Sequence, residues 1–373
     1  MTKKLKIVIA GGGTGGHLFP ALEIAKAIQK KWQADILFFG TENGIEQKWV
    51  PREGFPLVNL PVAGFHRRIT VKNLTFPFKL FKSLAVCRKE LTAFQTDLAV
   101  GTGGYVMGPV LKSAQKLGIP FVLQEQNSYP GVTTRLLAAG AERVFLAYEE
   151  ARSYLPAESR TVLCGNPLRL KKVKENRETL RSRFGLSADK KTILVFGGSQ
   201  GAASINRAVW ELLQRRFFPP EYQLLWQTGA REYEKMAAHV RENNSTAVQV
   251  KPFIEDMAAA YALADFAVCR AGAMTISELI FSGLPAVFVP YPHAAADHQF
   301  HNARAVADKK AALLVRDDEK LTENLAGALQ SIFDGQADLQ AMSEKMKALY
   351  RGDPLPVILE HIEAVLRERG RIK

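Results

Sequence analysis

The residues that could do chemistry stand in and around glycine loops. Gly11-Gly12-Gly13-Thr14-Gly15-Gly16 follows the apolar run Lys6–Ala10 and precedes an amphipathic stretch, Phe19–Ile28. Glycines let a backbone approach an anion closely, and the N–H groups of a following helix's first turn point at it. The loop contains a GxGxxG spacing, so a dinucleotide is one reading, with Glu42 as the acid near the end of the second strand. A tight strand-to-helix turn without a ligand is the other. Three further glycine loops sit at the ends of strand-like runs: Gly101–Gly104, Gly197–Gly201 and Arg270–Ala273. In open α/β sheets ligands bind at the carboxyl ends of strands, so these loops are expected to line one cleft.

The segment 269–279 (CRAGAMTISEL) is the most informative of the second half. Gly272 ends a strand-like run, and Ala273–Ser277 would form the first turn of a helix, where Ala273, Met274 and Thr275 can offer N–H groups to a diphosphate. Glu278 could then accept two hydrogen bonds from a ribose diol; a carboxylate that merely complements the helix dipole is the plainer alternative. Downstream, Asp297, His298, Gln299 and Asn302 crowd into a short polar run suited to sugar hydroxyls, or to nothing more than a solvated loop. His293, His298 and His301 raise a metal, but their spacing is not that of a zinc motif. No DxD motif is present, and Asp317-Asp318-Glu319 reads as a solvated turn.

These loops need strands and helices to hold them. The pattern strand, glycine loop, helix occurs twice, at Lys6–Ala10 and at Thr192–Phe196, 186 residues apart in a chain of 373. Continuous apolar runs followed by glycines and helical patterns describe buried parallel strands. Further strands are expected at Ile36–Phe39, Leu98–Val100, Phe121–Gln124, Val144–Leu146, Leu224–Gln227, Val248–Lys251, Phe266–Cys269 and Ala286–Val289. The fold class is therefore α/β: two Rossmann-like, doubly wound domains in series, residues 1–165 and 166–349. The charged stretch KKVKENRETLRSR, residues 171–183, reads as a surface helix. Leu355, Ile358, Leu359, Ile362, Val365 and Leu366 share one face of a last helix that needs a surface to pack on.

Composition narrows the class without choosing it. With 47% hydrophobic and 23% charged residues the chain is globular. Three scattered cysteines argue against a disulfide framework and for a reducing compartment. Leu279–Ala296 is interrupted by Pro285, Pro290 and Pro292, which excludes it as a membrane span. The net charge is +13, and residues 1–170 hold most of it, with 22 Lys/Arg against 12 Asp/Glu. Nucleic acid, an anionic membrane or an anionic small molecule could each answer that surplus.

Taken together, GGGTGGHLFPALEIA, GTGGYVMGP, QEQNSYPG, GNPLR, GGSQGAASIN, CRAGAMTISE and HAAADHQFHNA resemble the successive signatures of one family, in family order from Gly11 to Asn302. It is the peptidoglycan family of N-acetylglucosaminyltransferases that convert lipid I to lipid II. The resemblance implies a GT-B fold, with the C-terminal helix, residues 350–373, crossing back to the first domain. It implies transfer of N-acetylglucosamine from UDP-N-acetylglucosamine to the muramoyl 4-hydroxyl of lipid I, with inversion. His17 is then the family-matched general base, at a helix N-terminus that favours neutral imidazole. Glu125 is the second candidate base, with Asn127 orienting acceptor or donor sugar. By the same matching, Thr14, Gly15 and Gly16 contact substrate, and Gly13, Gly103, Gly104 and Tyr105 belong to loops for the acceptor diphosphate. Arg169, Ser199 and Gln200 would touch nucleotide or diphosphate, Ile254 would flank uracil through its backbone, Glu278 would hold ribose, and Gln299 and Asn302 would read the sugar. Ser128-Tyr129 and Leu168 depart from the family's usual residues, which bears on fine specificity at the cleft rim. No cofactor is required by the sequence, and a divalent ion beside the donor diphosphate is left open.

Between Glu53 and Glu90 there is no acidic residue, while Phe65, Arg67, Arg68, Lys72, Phe76, Phe78 and Lys79 interleave aromatic and basic side chains. Single-stranded nucleic acid can use that mixture, as can an anionic bilayer, and a helix with a solvated basic face needs neither. The lipid-linked substrate implied by the resemblance tips the reading to the anionic inner leaflet, placing the protein on the cytoplasmic face of the inner membrane, without nucleic acid. Other cell-wall synthesis proteins are further candidate partners. A nicotinamide-dependent oxidoreductase built on the first loop, or a nucleotide-binding scaffold without catalysis, are the competing functions.

Overall fold

The computed structural model describes residues 4–61, 76–243 and 247–372. The chain divides into two compact units, Met1–Arg169 with Arg351–Lys373, and Leu170–Tyr350.

The first unit is built on seven parallel strands: β1 (Lys6–Gly11), β2 (Asp35–Thr41), β3 (Leu57–Leu60), β4 (Leu98–Gly103), β5 (Phe121–Glu125), β6 (Arg143–Leu146) and β7 (Thr161–Leu163). They lie in the order β3-β2-β1-β4-β5-β6-β7. The order reverses beside β1, where β2 and β4 flank it with Ile7 opposite Ile36 on one side and Leu98 on the other. A crevice opens at the carboxyl ends of strands at such a point. Successive residues of β1 serve opposite faces: Ile7 and Ile9 enter one core, Val8 and Ala10 the other.

The helix Gly15–Trp32 covers the first of those faces through Leu18, Leu22 and Ile28. The C-terminal helix Pro354–Glu368 joins the same core, with Ile358, Ile362, Val365 and Leu366 fully buried. Asp353 starts it by accepting the Leu355 N–H at 3.0 Å, and Pro354 suits a first turn that has no use for its N–H. The apolar stripe thus finds its surface on the first unit although the residues before it belong to the second.

The second unit repeats the plan with six parallel strands: β8 (Lys191–Phe196), β9 (Tyr222–Gln227), β10 (Val248–Lys251), β11 (Phe266–Cys269), β12 (Ala286–Phe288) and β13 (Ala312–Leu314). Their order is β10-β9-β8-β11-β12-β13, with the reversal beside β8. Its core includes Trp226, whose indole N–H donates to Asn206 Oδ1 at 3.0 Å, so the ring is buried without an orphaned donor.

Three strands escape the sequence pattern: β3, β7 and β13 are three or four residues long and lie at sheet edges, where part of each stays open. The expected surface helix at residues 171–183 is only Arg177–Arg183, because Asn176 caps it by accepting the Thr179 N–H at 2.8 Å. The division between units falls after Arg169 rather than at residue 165.

Candidate active site

In the first unit the loops after β1 and β4 lie against each other at the order reversal. A Cβ on Gly103 would come within 2.4 Å of His17 Nδ1, and one on Gly104 within 2.4 Å of the Gly12 carbonyl oxygen. Both residues have positive φ, +114° and +78°, so glycine is needed for conformation as well as space. The loop after β1 is pinned from below by Glu46, which is fully buried. Its carboxylate accepts the Gly13 N–H at 2.9 Å, the Thr41 N–H at 2.7 Å and the Thr41 hydroxyl at 2.8 Å. Burial pushes its pKa up, but the N–H groups of Gly13 and Thr41 with the Thr41 hydroxyl outweigh that and hold it below the usual carboxylate range. An anion already occupies the Gly13 donor, and Glu42, the acid of the dinucleotide reading, is exposed. The Gly13 N–H is therefore not available to a diphosphate, and the dinucleotide reading loses its ribose acid.

Thr14 precedes the helix Gly15–Trp32 without capping it through its side chain, and no acidic residue stands in the first turn. The Gly15 and Gly16 N–H groups so keep the positive end of the dipole at the loop. His17 follows, half-buried. Its Nδ1 lies 2.8 Å from Gln126 Oε1 and 3.1 Å from the Thr102 carbonyl oxygen. Both are acceptors, so neutral His17 carries its proton on Nδ1 and leaves the Nε2 lone pair for another group. Tyr105, on the same loop as Gly103 and Gly104, is 58% exposed.

Glu125 does not stand ready as a base. It is buried, and its carboxylate holds the following loop: Oε1 accepts the Asn127 N–H at 3.1 Å and the Asn127 amide at 3.0 Å, and Oε2 accepts the Gly131 N–H at 3.1 Å. Arg169 likewise is committed within the first unit. It pairs with Glu53 at 3.0 Å and Glu23 at 3.6 Å and lies over the rings of Phe19 and Trp49. Its charge is balanced there by Glu23 and Glu53.

The second unit contains a cavity of about 660 Å³, lined among others by Gly197, Gly198, Gly201, Ser204, Gly272 and Thr275. Two helices begin at it, Ala203–Gln214 and Ala273–Ser282, and neither has a side-chain cap or an acidic residue in its first turn. Two sets of unclaimed N–H groups therefore face one space, the arrangement that binds a diphosphate. The floor is neutral: Arg270 pairs with Asp317 at 2.7 Å, and Ser204 bridges them, receiving from Arg270 at 2.9 Å and donating to Asp317 at 2.7 Å. Asp317, expected in a solvated turn, is thus a cavity residue, with its side chain 10% exposed.

Around this cavity the expected contacts are sorted. Gln299 lines it, and its Oε1 accepts the N–H groups of Ala271 at 3.2 Å and Tyr291 at 3.0 Å, which leaves the amide NH2 to donate to a ligand. Asn302 is fully buried and is not among the residues that line the cavity. The Ile254 N–H is taken by Gln227 Oε1 at 2.7 Å; only its carbonyl could serve a base. Ser199 and Gln200 lie exposed on the loop whose Gly197, Gly198 and Gly201 form the wall. Glu278 sits one turn into its helix beyond Ala273, Met274 and Thr275, accepting the Tyr261 hydroxyl at 2.8 Å. Burial raises its pKa to about 7, against the lowering effect of Tyr261.

Among the described residues no group of three or more His, Cys, Asp or Glu could hold a metal ion, and no helix is long and apolar enough to cross a membrane. Phe65, Arg67, Arg68, Lys72 and the side chain of Phe76 lie outside the described residues. Phe78 and Phe81 are 79% and 72% exposed on the helix Phe76–Phe94, with Lys79 and Lys82 exposed beside them.

The residues that motif reading passed over are Glu46, Gln126, Gln227 and Tyr261. Each is buried, and each acts by holding a loop or a side chain that the motifs do contain. Position was the only available signal: Gln126 lies between Glu125 and Asn127, and Gln227 ends a strand.

Residues 7–146 match the N-terminal domain of glycosyltransferase family 28, and residues 192–353 match its C-terminal domain. A relative from Bacteroides thetaiotaomicron is 41% identical over 97% of this chain and 98% of its own, and one from Acetivibrio thermocellus is 37% identical over 98% and 100%. Both are called UDP-N-acetylglucosamine–N-acetylmuramyl-(pentapeptide) pyrophosphoryl-undecaprenol N-acetylglucosamine transferase. The crystal structure of Acinetobacter baumannii MurG is similar with a TM-score of 0.79 at 29% identity, covering 97% of this chain and 100% of that one. A calicheamicin glycosyltransferase, at 14% identity, shares the fold with a TM-score of 0.71 over 98% of both chains.

Proposed function

The chain belongs to the family of UDP-N-acetylglucosamine–N-acetylmuramyl-(pentapeptide) pyrophosphoryl-undecaprenol N-acetylglucosamine transferases, in glycosyltransferase family 28, and from that premise we propose how its residues do the work. It is a UDP-N-acetylglucosamine-dependent glycosyltransferase of GT-B fold that makes lipid II from lipid I.

The donor nucleotide binds in the second unit. The observation that carries this is the cavity on which two uncapped helix N-termini open over a neutral Arg270–Asp317 floor. There the N–H groups of the first turns stabilise the negative charge that develops on the departing UDP as the bond to the sugar breaks, and they need no reorganisation as it does so. Glu278, one turn further along the helix, accepts from the ribose diol, and the Gln299 amide donates to a sugar hydroxyl.

The acceptor is activated by the first unit. His17 Nε2 takes the proton of the muramoyl 4-hydroxyl as its oxygen attacks the anomeric carbon and the bond to UDP breaks. One displacement at that carbon inverts it. The N–H groups of Gly15 and Gly16 and the loop of Gly103, Gly104 and Tyr105 receive the acceptor's diphosphate. Phe78 and Phe81 enter the lipid interface while Lys79 and Lys82 meet anionic headgroups, which makes the protein peripheral at the inner leaflet.

The deciding experiment is transfer of radiolabelled N-acetylglucosamine from its UDP donor to a lipid I analogue, with and without His17→Ala. Labelled lipid II from the native chain and its loss in the variant are expected. Full activity in the variant removes His17 as base. A thermal shift with NADH and none with UDP-N-acetylglucosamine would instead revive the oxidoreductase.

A further inference from the structure

Behind His17 lies a row of buried side-chain amides to which the motif reading gives no role. Asn166, Gln124 and Gln126 are 4%, 1% and 1% exposed. An amide in a protein interior must face its NH2 to acceptors and its oxygen to donors, so each fixed end fixes the other. Here the row has only one consistent direction.

Asn166 donates from Nδ2 to the Gln126 backbone carbonyl at 3.1 Å, which turns its Oδ1 to receive the Gln124 amide at 2.7 Å. Gln124 Oε1 is thereby presented to the NH2 of Gln126. That NH2 also donates to the backbone carbonyls of Thr102 at 2.7 Å and Gln124 at 3.0 Å. Three acceptors around one NH2 leave Gln126 no alternative orientation. Its oxygen therefore faces His17 Nδ1, 2.8 Å away.

We propose that Gln126 is a positioning residue: as the last link of this amide row it keeps the proton of neutral His17 on Nδ1 and the Nε2 lone pair free for the acceptor hydroxyl. The proposal rests on the reading of His17 as the base. The Thr102 carbonyl alone would not suffice, because it is shared with the Gln126 amide and lies further from Nδ1, at 3.1 Å. The row explains why Gln124, Gln126 and Asn166 are polar although buried at the carboxyl ends of β5 and β7. It also gives Asn166 of the GNPLR segment work within the first unit. The neighbouring carboxylates do not compete for the ring: Glu125 is turned to Asn127 and Gly131, and Glu46 to Gly13 and Thr41.

The test uses the full chain with 15N-labelled histidine. Long-range proton–nitrogen spectra report which ring nitrogen carries the proton, and His17→Asn assigns the His17 signals. The native protein is expected to show His17 protonated on Nδ1. Gln126→Leu removes the acceptor and should give a mixed tautomer, with kcat lowered about 10–100-fold and KM for UDP-N-acetylglucosamine nearly unchanged. Gln126→Glu keeps an acceptor for Nδ1 but gives up the donor to Thr102 and Gln124 and adds a charge. It should keep the Nδ1 proton and move the acid limb of the kcat/KM profile up by at least about one pH unit. Should Gln126→Leu fail to fold, the Gln126→Glu profile decides. An Nε2-protonated ring in the native protein, an unchanged tautomer and rate in Gln126→Leu, or an unmoved acid limb in Gln126→Glu would each overturn the proposal. Were His17→Ala fully active, the reading of His17 as base would fall, and the spectra would still decide whether Gln126 sets the tautomer.

Discussion

Glu278 is held at a cost that pH should reveal. Its carboxyl is largely withdrawn from water, and burial raises its pKa from 4.5 to about 7 with only the Tyr261 hydroxyl opposing. One pKa unit corresponds to about 1.4 kcal/mol, so the shift amounts to roughly 3 kcal/mol. Part of the side chain remains open to solvent, which brings the expected penalty to on the order of 2 kcal/mol. The sign follows from linkage. A group whose pKa is higher in the folded state than in the unfolded state binds more protons when folded. The folded state is therefore favoured at low pH and loses stability as pH rises from about 4.5 to about 7.

Glu278→Gln removes the charge and still accepts from Tyr261, so it isolates this term. Its stability relative to the native chain should be unchanged near pH 4.5 and greater by about 2 kcal/mol above pH 7.5. Hydrogen exchange of peptides from β11 and the helix Ala273–Ser282, compared between the two proteins at each pH, measures the difference within the second unit. The same variant should bind UDP more weakly, because one carboxylate oxygen for the ribose diol becomes an amide donor. A Gln variant of equal or lower stability at pH 8 would refute the reasoning, since the carboxylate would then be favourably solvated or paired where it lies.

His17→Ala should lower kcat by about 10²–10⁴-fold, the usual span for a lost general base, while the thermal shift given by UDP stays as in the native chain. Glu46→Gln should destabilise the first unit at pH 7 by about 1.5–3 kcal/mol, the range for hydrogen bonds to a charged group. Because the Glu46 pKa is depressed on folding, that difference should fade in unfolding experiments as pH drops below the ordinary carboxylate range. Phe78→Ser and Phe81→Ser combined with Lys79→Glu and Lys82→Glu should lower binding to anionic vesicles at least about tenfold, each cation near the surface being worth about 1 kcal/mol. Unchanged sedimentation with vesicles would remove this helix from the interface.

Much of the fold was legible because central parallel strands are continuous apolar runs. β11 lies where that pattern puts it, and β1 and β8 differ from it by one residue. Edge strands such as β7, of three half-open residues, carry no such run. The glycine loops were legible for a similar reason: a residue with φ of +114° and no room for a Cβ, such as Gly103, has to be glycine. Charged and polar side chains were harder to place. Arg169 and Asp317 could each be assigned to nucleotide or to solvent by type and spacing. Their partners, Glu23 and Glu53 for one and Arg270 for the other, are between 47 and 146 residues distant in the chain, and nothing local announces them.

The same physical need explains the buried glutamines that motif reading missed. A glycine loop has no side chains with which to hold itself, and its N–H groups must stay unclaimed if they are to meet a ligand. Something outside the loop has to hold its carbonyls. In the second unit Gln227, at the end of β9, donates to the Gly198 carbonyl at 2.9 Å and accepts the Ile254 N–H at 2.7 Å. In the first unit Gln126, just past the end of β5, donates to the Thr102 carbonyl and accepts from His17. An amide is suited to this because it offers a donor and an acceptor without charge, so it leaves the field at an anion site to the helix dipoles. A glutamate in either place could hold no carbonyl, so the amides do what the Glu46 carboxylate, which accepts the Gly13 N–H, cannot do.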